Sequence, residues 1–203
     1  MLASLALLGY GAYQWIGAQD DRDQVQALEH PSTFSGATKP KGKAVSRLGP
    51  DMLAAPEVDL SIPLTRLGLD AAGDFQVPDS AEASIYSDGA QLGPDQRKGS
   101  VFALGHVNFP DGSFAPMASI AKLTPGSRIT TTDSDGDREE WMATSMKVVP
   151  RDGLTPDMWS LGGDRRLVLV TCAGEINASV GVVTEFTENL VVIAEPVPDD
   201  ATP

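Results

Sequence analysis

The chain has 203 residues but only one cysteine, Cys172, and two histidines, His30 and His106. With a single cysteine, no disulfide bond can form within the chain. This absence does not assign a compartment, because many exported proteins lack cysteine pairs and are stabilised by the size of their core. Any reaction that uses a thiol or an imidazole therefore depends on very few side chains.

Positive charge is also scarce, with 15 Lys and Arg against 28 Asp and Glu and a net charge of −13. Binding to a nucleic-acid backbone requires clustered cations, so nucleic acid is excluded as a partner. Docking on anionic lipid through a basic face is disfavoured for the same reason. No Lys or Arg follows Arg166 in the chain.

The N-terminal segment is the one long apolar stretch of the sequence. Residues 2–18 are almost wholly apolar, with Tyr13 and Trp15 close to their end. As a helix they would span roughly 27 Å, near the thickness of a bilayer core, and Tyr and Trp favour the membrane interface. We predict a transmembrane anchor over residues 1–18. A cleaved signal peptide is the alternative, although the basic residues that normally precede one are missing.

The rest of the chain divides by composition. Residues 19–56 mix charge with proline, serine and glycine, which predicts a flexible linker that contains His30. Residues 57–198 show short apolar runs between turn residues, a pattern typical of all-β proteins. Residues 199–203 form a short tail. We predict about eight strands in a closed β-barrel with one or two short helices. The strands and helices expected are 58–62, 66–69, 75–77, 100–106, 127–132, 140–149, 166–172 and 190–197, with helices near 114–121 and 155–161.

The acidic run from Asp133 to Asp137 weakly resembles a calcium-binding loop. The bidentate Glu that such a loop needs at its twelfth position is replaced by Thr144. Asp-Gly between two apolar segments is instead typical of a hairpin turn. We therefore expect no metal site and no cofactor.

Cys172 and His106 each close an apolar, strand-like run. A thiol attacks a carbonyl as its thiolate, so it needs a lowered pKa or a neighbouring base, and an imidazole can supply either. Strand ends that are distant in sequence can meet at the rim of a barrel. The alternative is that Cys172 is a small buried apolar residue, which is common for free cysteines.

The sequences around these two residues resemble those of sortases. The segment 169–172, Leu-Val-Thr-Cys, is similar to the sortase cysteine motif, and 99–107 is similar to the strand and Gly-His turn that carry the sortase histidine. The order of the two motifs agrees as well. The overall pattern looks most like actinobacterial class E and F sortases. Further similar segments are 62–63, 68–73 with 77–78, 123–129 and 189–197.

The resemblance implies an eight-stranded sortase β-barrel, held outside the cell membrane by a single N-terminal helix. It implies a cysteine transpeptidase that cleaves a Leu-Pro-x-Thr-Gly-like sorting signal through a thioacyl-enzyme on Cys172, with His106 as acid and base. An amine of a peptidoglycan precursor or a pilin would then accept the protein. Asn189, Thr171 and Asn108 are candidates for oxyanion or substrate binding.

One departure from the family pattern limits this interpretation. Sortases carry an arginine on the strand after the cysteine, where this chain offers Thr187, Glu188 and Asn189. Loss of one oxyanion donor typically lowers a rate by about 10²–10³. A catalytically impaired sortase-like domain that binds a peptide or a partner is therefore the alternative function.

Overall fold

The described part of the chain is built almost entirely from β-strands. The computed structural model describes residues 22–93, 95–177 and 185–197. Residues 22–29 are helical, and short 3-10 helices lie at Pro56–Val58, Pro116–Lys122 and Pro156–Trp159. The strands are β1 (Phe34–Ser35), β2 (Met52–Ala55), β3 (Leu60–Leu67), β4 (Ala83–Tyr86), β5 (Ser100–Leu104), β6 (Arg128–Thr132), β7 (Arg138–Pro150), β8 (Arg166–Asn177) and β9 (Glu185–Pro196).

The strands close into a barrel. Their order is β7-β6-β2-β3-β4-β5-β8-β9, and β9 pairs back onto β7, while the short β1 adds beside β7. Closure leaves no exposed sheet edge among these eight strands, which protects against pairing with other chains. The all-β, eight-stranded barrel predicted from the sequence is confirmed.

Alternate residues of β8 face two different apolar clusters. Leu167 and Leu169 lie in the barrel interior, whereas Val168 and Val170 belong to a second cluster on the outer face. This alternation follows from the two-residue period of a strand. The outer cluster includes Met158 from the 3-10 helix before β8. The β7–β8 connection therefore covers the face of β8 that Cys172 shares with Val168 and Val170.

Parts of residues 22–56, expected to be a flexible linker, pack on or within the barrel. Leu28 is fully buried, and the side-chain amide of Gln24 donates a 2.8 Å hydrogen bond to the carbonyl of Ala118. β2 lies between β3 and β6 as a full member of the barrel. Isolated apolar residues such as these give no sequence periodicity, which is why the composition of 19–56 resembles that of a linker.

Two parts of the predicted organisation fall outside the described residues, namely the anchor at 1–18 and the tail at 199–203. Across 22–93, 95–177 and 185–197, no helix has the length and apolar character that crossing a membrane requires.

The predicted hairpin between β6 and β7 is confirmed. One carboxylate oxygen of Asp133 accepts hydrogen bonds from the backbone N–H groups of Asp135 and Asp137, at 3.0 and 2.8 Å. Near the start of the barrel the strand prediction was wrong in two places. β3 continues through Pro63, and the strand expected at 75–77 is replaced by β4 at Ala83–Tyr86.

Candidate active site

The end of β5 lies beside the middle of β8, which continues to Asn177 and so extends beyond the strand end expected at Cys172. The two strands are parallel neighbours, and the last registered pair is Leu104 with Val170. Beyond it, the N–H of Gly105 donates to the carbonyl of Val170 at 3.1 Å. His106 and Cys172 each lie two residues past the Leu104–Val170 pair, so the two residues follow the same registered position on neighbouring strands.

Thr171 stabilises this junction. Its hydroxyl is buried and donates a 2.9 Å hydrogen bond to the carbonyl of Gly105, the residue before His106. Its side chain lies on the opposite face of β8 from Cys172, because neighbouring strand residues point to opposite faces. Thr171 therefore holds the histidine turn against the cysteine strand. The oxyanion or substrate-binding role expected from the sequence stays a prediction.

Cys172 follows Val168 and Val170 on the outer face of β8, and its half-buried side chain also contacts the interior cluster. Burial raises the pKa of its thiol because the charged thiolate is poorly solvated, whereas the positive charge of Arg151 lowers that pKa. The burial effect is the larger of the two. In the free protein the thiol is therefore harder to ionise than an ordinary cysteine.

His106 is more accessible than Cys172. Its side chain is 43% exposed, and its Nε2 lies 3.9 Å from a carboxylate oxygen of the fully exposed Asp79. An imidazole in this position can exchange protons with a bound molecule and with solvent. His30, in contrast, is an exposed residue that follows the 22–29 helix. Of the two histidines, His106 is thus the one that follows a strand paired with the strand of Cys172.

Asn189 lies directly opposite Cys172 on β9. Its amide group is buried and donates to two backbone carbonyls, that of Arg151 at 3.0 Å and that of Pro150 at 3.4 Å. Asn189 consequently fixes the start of the β7–β8 connection. An oxyanion role for Asn189 stays a prediction.

Asn108 lies in the loop that follows His106. Its amide donates to the neighbouring carbonyl of Phe109 at 3.4 Å, and its backbone bridges to Phe114. These contacts shape the loop locally. A substrate-binding role for Asn108 stays a prediction.

An aromatic cluster lies on the outer face below the Cys172–His106 junction. The rings of Phe75 and Phe102 have centroids 4.9 Å apart, and Trp159 packs on both, at 5.0 and 5.2 Å. Tyr86 completes the group with an edge contact to Phe75. Such contacts favour ordered packing, so Trp159 packs within this cluster.

The comparison with protein families decides what this junction belongs to. The model described as "Sortase domain" matches residues 53–197. The chain belongs to the sortase family. No curated protein matches it.

Solved sortase structures share the fold of this sortase. Sortase C1 from Streptococcus agalactiae is 21% identical with a TM-score of 0.54, and the match covers 77% of this chain and 72% of that one. A SrtA sortase from Actinomyces oris is 18% identical with a TM-score of 0.51, covering 82% and 89%. Sortase C1 from Streptococcus suis is 12% identical with a TM-score of 0.52, covering 93% and 84%.

Family and fold together support cysteine transpeptidase activity. The finer assignment to the class E and F sortases stays a prediction, since the structural neighbours named above include class C enzymes.

Sequence reasoning could not place Arg151, whose charge acts on the Cys172 thiol. Arg151 follows the end of β7, and its position relative to Cys172 depends on the pairing of β7 with β9 and of β9 with β8. The long antiparallel match between 141–150 and 188–196 is the signal that could have suggested this pairing. No local motif marks Arg151.

Proposed function

We propose that this sortase is a cysteine transpeptidase in which Cys172 is the nucleophile and His106 the acid and base. The observation that supports the proposal most strongly is the parallel pairing of β5 with β8, because it brings the strand that precedes His106 beside the strand that carries the chain's one thiol. A buried apolar cysteine would need no such neighbour. The Cys172 side chain is only half-buried, which leaves part of it accessible to a peptide.

The reaction proceeds in two transfers that balance. The Cys172 thiol gives its proton to His106, and the sulfur attacks the carbonyl carbon of the sorting signal, forming a C–S bond and an oxyanion. When the oxyanion collapses, the C–N bond breaks and the departing amine takes the proton from His106. An incoming amine then attacks the thioester, His106 accepts its proton, and the C–S bond breaks to release the thiolate, which recovers that proton.

The substrate we propose is a peptide of the Leu-Pro-x-Thr-Gly type at the C-terminus of an exported protein, cleaved between Thr and Gly. The acceptor is an amine of a peptidoglycan precursor or of a pilin. The apolar residues 2–18 support a single N-terminal anchor in the cell membrane, with the barrel outside the cell. In that location the enzyme meets both exported proteins and cell-wall amines.

Two observations favour a second candidate, a sortase-like domain that binds a peptide without turnover. Burial raises the pKa of the Cys172 thiol, and no Lys or Arg follows Arg166 in the sequence. Both features lower the expected reactivity of the nucleophile.

One experiment separates the two candidates. The purified protein is incubated with a Leu-Pro-x-Thr-Gly peptide and an amine, and intact mass reports any covalent adduct. A thioacyl adduct on the native protein, absent from Cys172→Ala, supports the transpeptidase. Peptide binding without adduct or product supports the binding module, and absence of both binding and adduct contradicts the proposed substrate class.

A further inference from the structure

The reaction proposed above generates negative charge beside Cys172, first on sulfur and then on the carbonyl oxygen. Fixed positive charge at such a position is among the largest contributions to catalysis. The strand after the cysteine, β9, supplies none, because the chain contains no Lys or Arg beyond Arg166. A cation must therefore come from another element that approaches Cys172.

Strand pairing identifies that element as the end of β7. Cys172 is paired with Asn189 on β9, and Asn189 is paired in turn with Val149 on β7. These three residues form a row across three adjacent strands on one face of the sheet. Arg151 lies two residues beyond Val149, so it continues the face of the sheet on which Cys172 lies.

The backbone of Arg151 is held in place while its side chain is exposed. The buried amide of Asn189 donates to the carbonyls of Pro150 and Arg151, so the residue opposite the thiol anchors the turn that carries the arginine. The guanidinium is close enough to favour the Cys172 thiolate, since its charge lowers the pKa of that thiol. Because the Arg151 side chain is exposed, a ligand bound at Cys172 can approach it.

The nearest carboxylate on β9 does not share this face. Glu188 is paired with Ala173 rather than with Cys172, and its side chain lies over Gly174. Because neighbouring strand residues point to opposite faces, Glu188 and Asn189 diverge. The electrostatic repulsion that a carboxylate would impose on an oxyanion is thereby reduced.

We propose that Arg151, supplied by the turn after β7 and positioned by Asn189, is the cation that stabilises the oxyanion formed at Cys172. The catalytic role rests on the proposed transpeptidase function. The placement of the guanidinium beside the thiol does not, and the two can be tested separately.

The first test uses two alkylating reagents of similar size, the anionic iodoacetate and the neutral iodoacetamide. Cys172 is the only thiol, so labelling reports that site alone. The ratio of the two rates is compared in the native protein, Arg151→Ala, Arg151→Lys and Arg97→Ala. Arg97 is an exposed arginine before the opposite end of β5 from His106, which makes it a control for net charge.

The expected result is a fall in the iodoacetate-to-iodoacetamide ratio of about threefold or more in Arg151→Ala, with the ratio largely retained in Arg151→Lys and unchanged in Arg97→Ala. An unchanged ratio in Arg151→Ala, or an equal fall in Arg97→Ala, overturns the placement. Because the ratio compares two reagents on one protein, a general loss of folding or accessibility does not mimic the effect.

The second test measures kcat/KM for the sorting-signal peptide with the same variants. Arg151→Ala is expected to lose about 10²–10³, Arg151→Lys less, and Arg97→Ala less than about twofold. If the native protein turns over the peptide and Arg151→Ala matches it, the catalytic role of Arg151 is overturned. If the native protein forms no adduct, the proposed function fails, and the reagent ratio still decides whether Arg151 acts on anions at the thiol.

Discussion

Two regions of β8, its start and the part around Cys172, lie near arginines in opposite circumstances. At the start, Arg165 is almost fully buried and binds both carboxylate oxygens of Glu139, at 2.8 and 2.9 Å, while Arg166 binds Ser100 and Asp157. Farther along the strand, Cys172 lies near Arg151, whose side chain is exposed on a turn. Both regions carry positive charge, but within the described residues only the arginines at the start form ion pairs.

The difference separates structural from functional charge. A buried arginine must be paired, because leaving it without a partner costs several kcal/mol. An exposed arginine stays hydrated, so it needs no protein partner and can interact with a ligand. We therefore expect changes at the start of β8 to lower stability and leave the reactivity of Cys172 unchanged. Changes near Cys172 should alter its reactivity and leave stability unchanged.

The largest expected effect is on turnover and comes from a change near Cys172. His106→Gln keeps a polar side chain of similar size but cannot shuttle a proton at neutral pH. We expect turnover of the sorting-signal peptide to fall by about 10²–10⁴, measured as kcat/KM, with little change in the urea midpoint of unfolding. Comparable turnover in His106→Gln and the native protein would remove His106 from the mechanism.

At the start of β8, Arg165→Met should remove the buried salt bridge to Glu139 and leave that carboxylate without its cation. Urea denaturation should show a loss of about 3–5 kcal/mol in the free energy of unfolding. Arg97→Met, at an exposed site, is the matched control and should change that value by less than about 0.5 kcal/mol. The iodoacetate-to-iodoacetamide ratio for Cys172 should be the same in Arg165→Met as in the native protein. A changed ratio would mean that the start of β8 is coupled to the region around Cys172.

Much of the fold was predictable from the sequence, because the strands of the second half carry long, regular signals. β5, β6, β7, β8 and β9 all fall on apolar, β-branched runs, and the Asp133 turn has the chemistry of a hairpin. β2 and β4 have only four residues each and were missed. Their position depends on neighbours that a local pattern does not reveal.

The site divides in the same way. The expectation that the β5 and β8 runs meet near Cys172 and His106 followed from two short sequences that end in a reactive residue. The contacts of Asn189 and Arg151 could not be predicted, since they join positions 38 residues apart and depend on the exact register of β7 with β9. Spacing along the chain carries no information about such a register unless the turn between the strands is short.

A smaller effect is expected from Thr171→Val, which keeps the shape of the side chain and removes its hydroxyl. The carbonyl of Gly105 then loses a buried donor, which should cost about 1–3 kcal/mol in unfolding free energy. Thr65→Val, on the half-buried surface of β3, serves as the control. Because the lost bond joins the residue before His106 to the strand that carries Cys172, turnover should fall in Thr171→Val beyond what any unfolded fraction explains. Unchanged turnover would show that strand pairing alone holds the turn before His106.

The smallest effect is a displacement of the pH profile for alkylation by iodoacetamide. Burial raises the pKa of the Cys172 thiol, so the rate should continue to rise at pH values where an ordinary thiol, with a pKa of about 8.5, has begun to level off. Arg151 opposes this shift, because a neighbouring positive charge favours the thiolate. Arg151→Ala should therefore move the profile to still higher pH, whereas Arg165→Met should leave it in place. A shift to lower pH in Arg151→Ala would contradict the sign of this interaction. Equal shifts in Arg151→Ala and Arg165→Met would mean that the thiol responds to the net charge of the protein and not to Arg151 in particular.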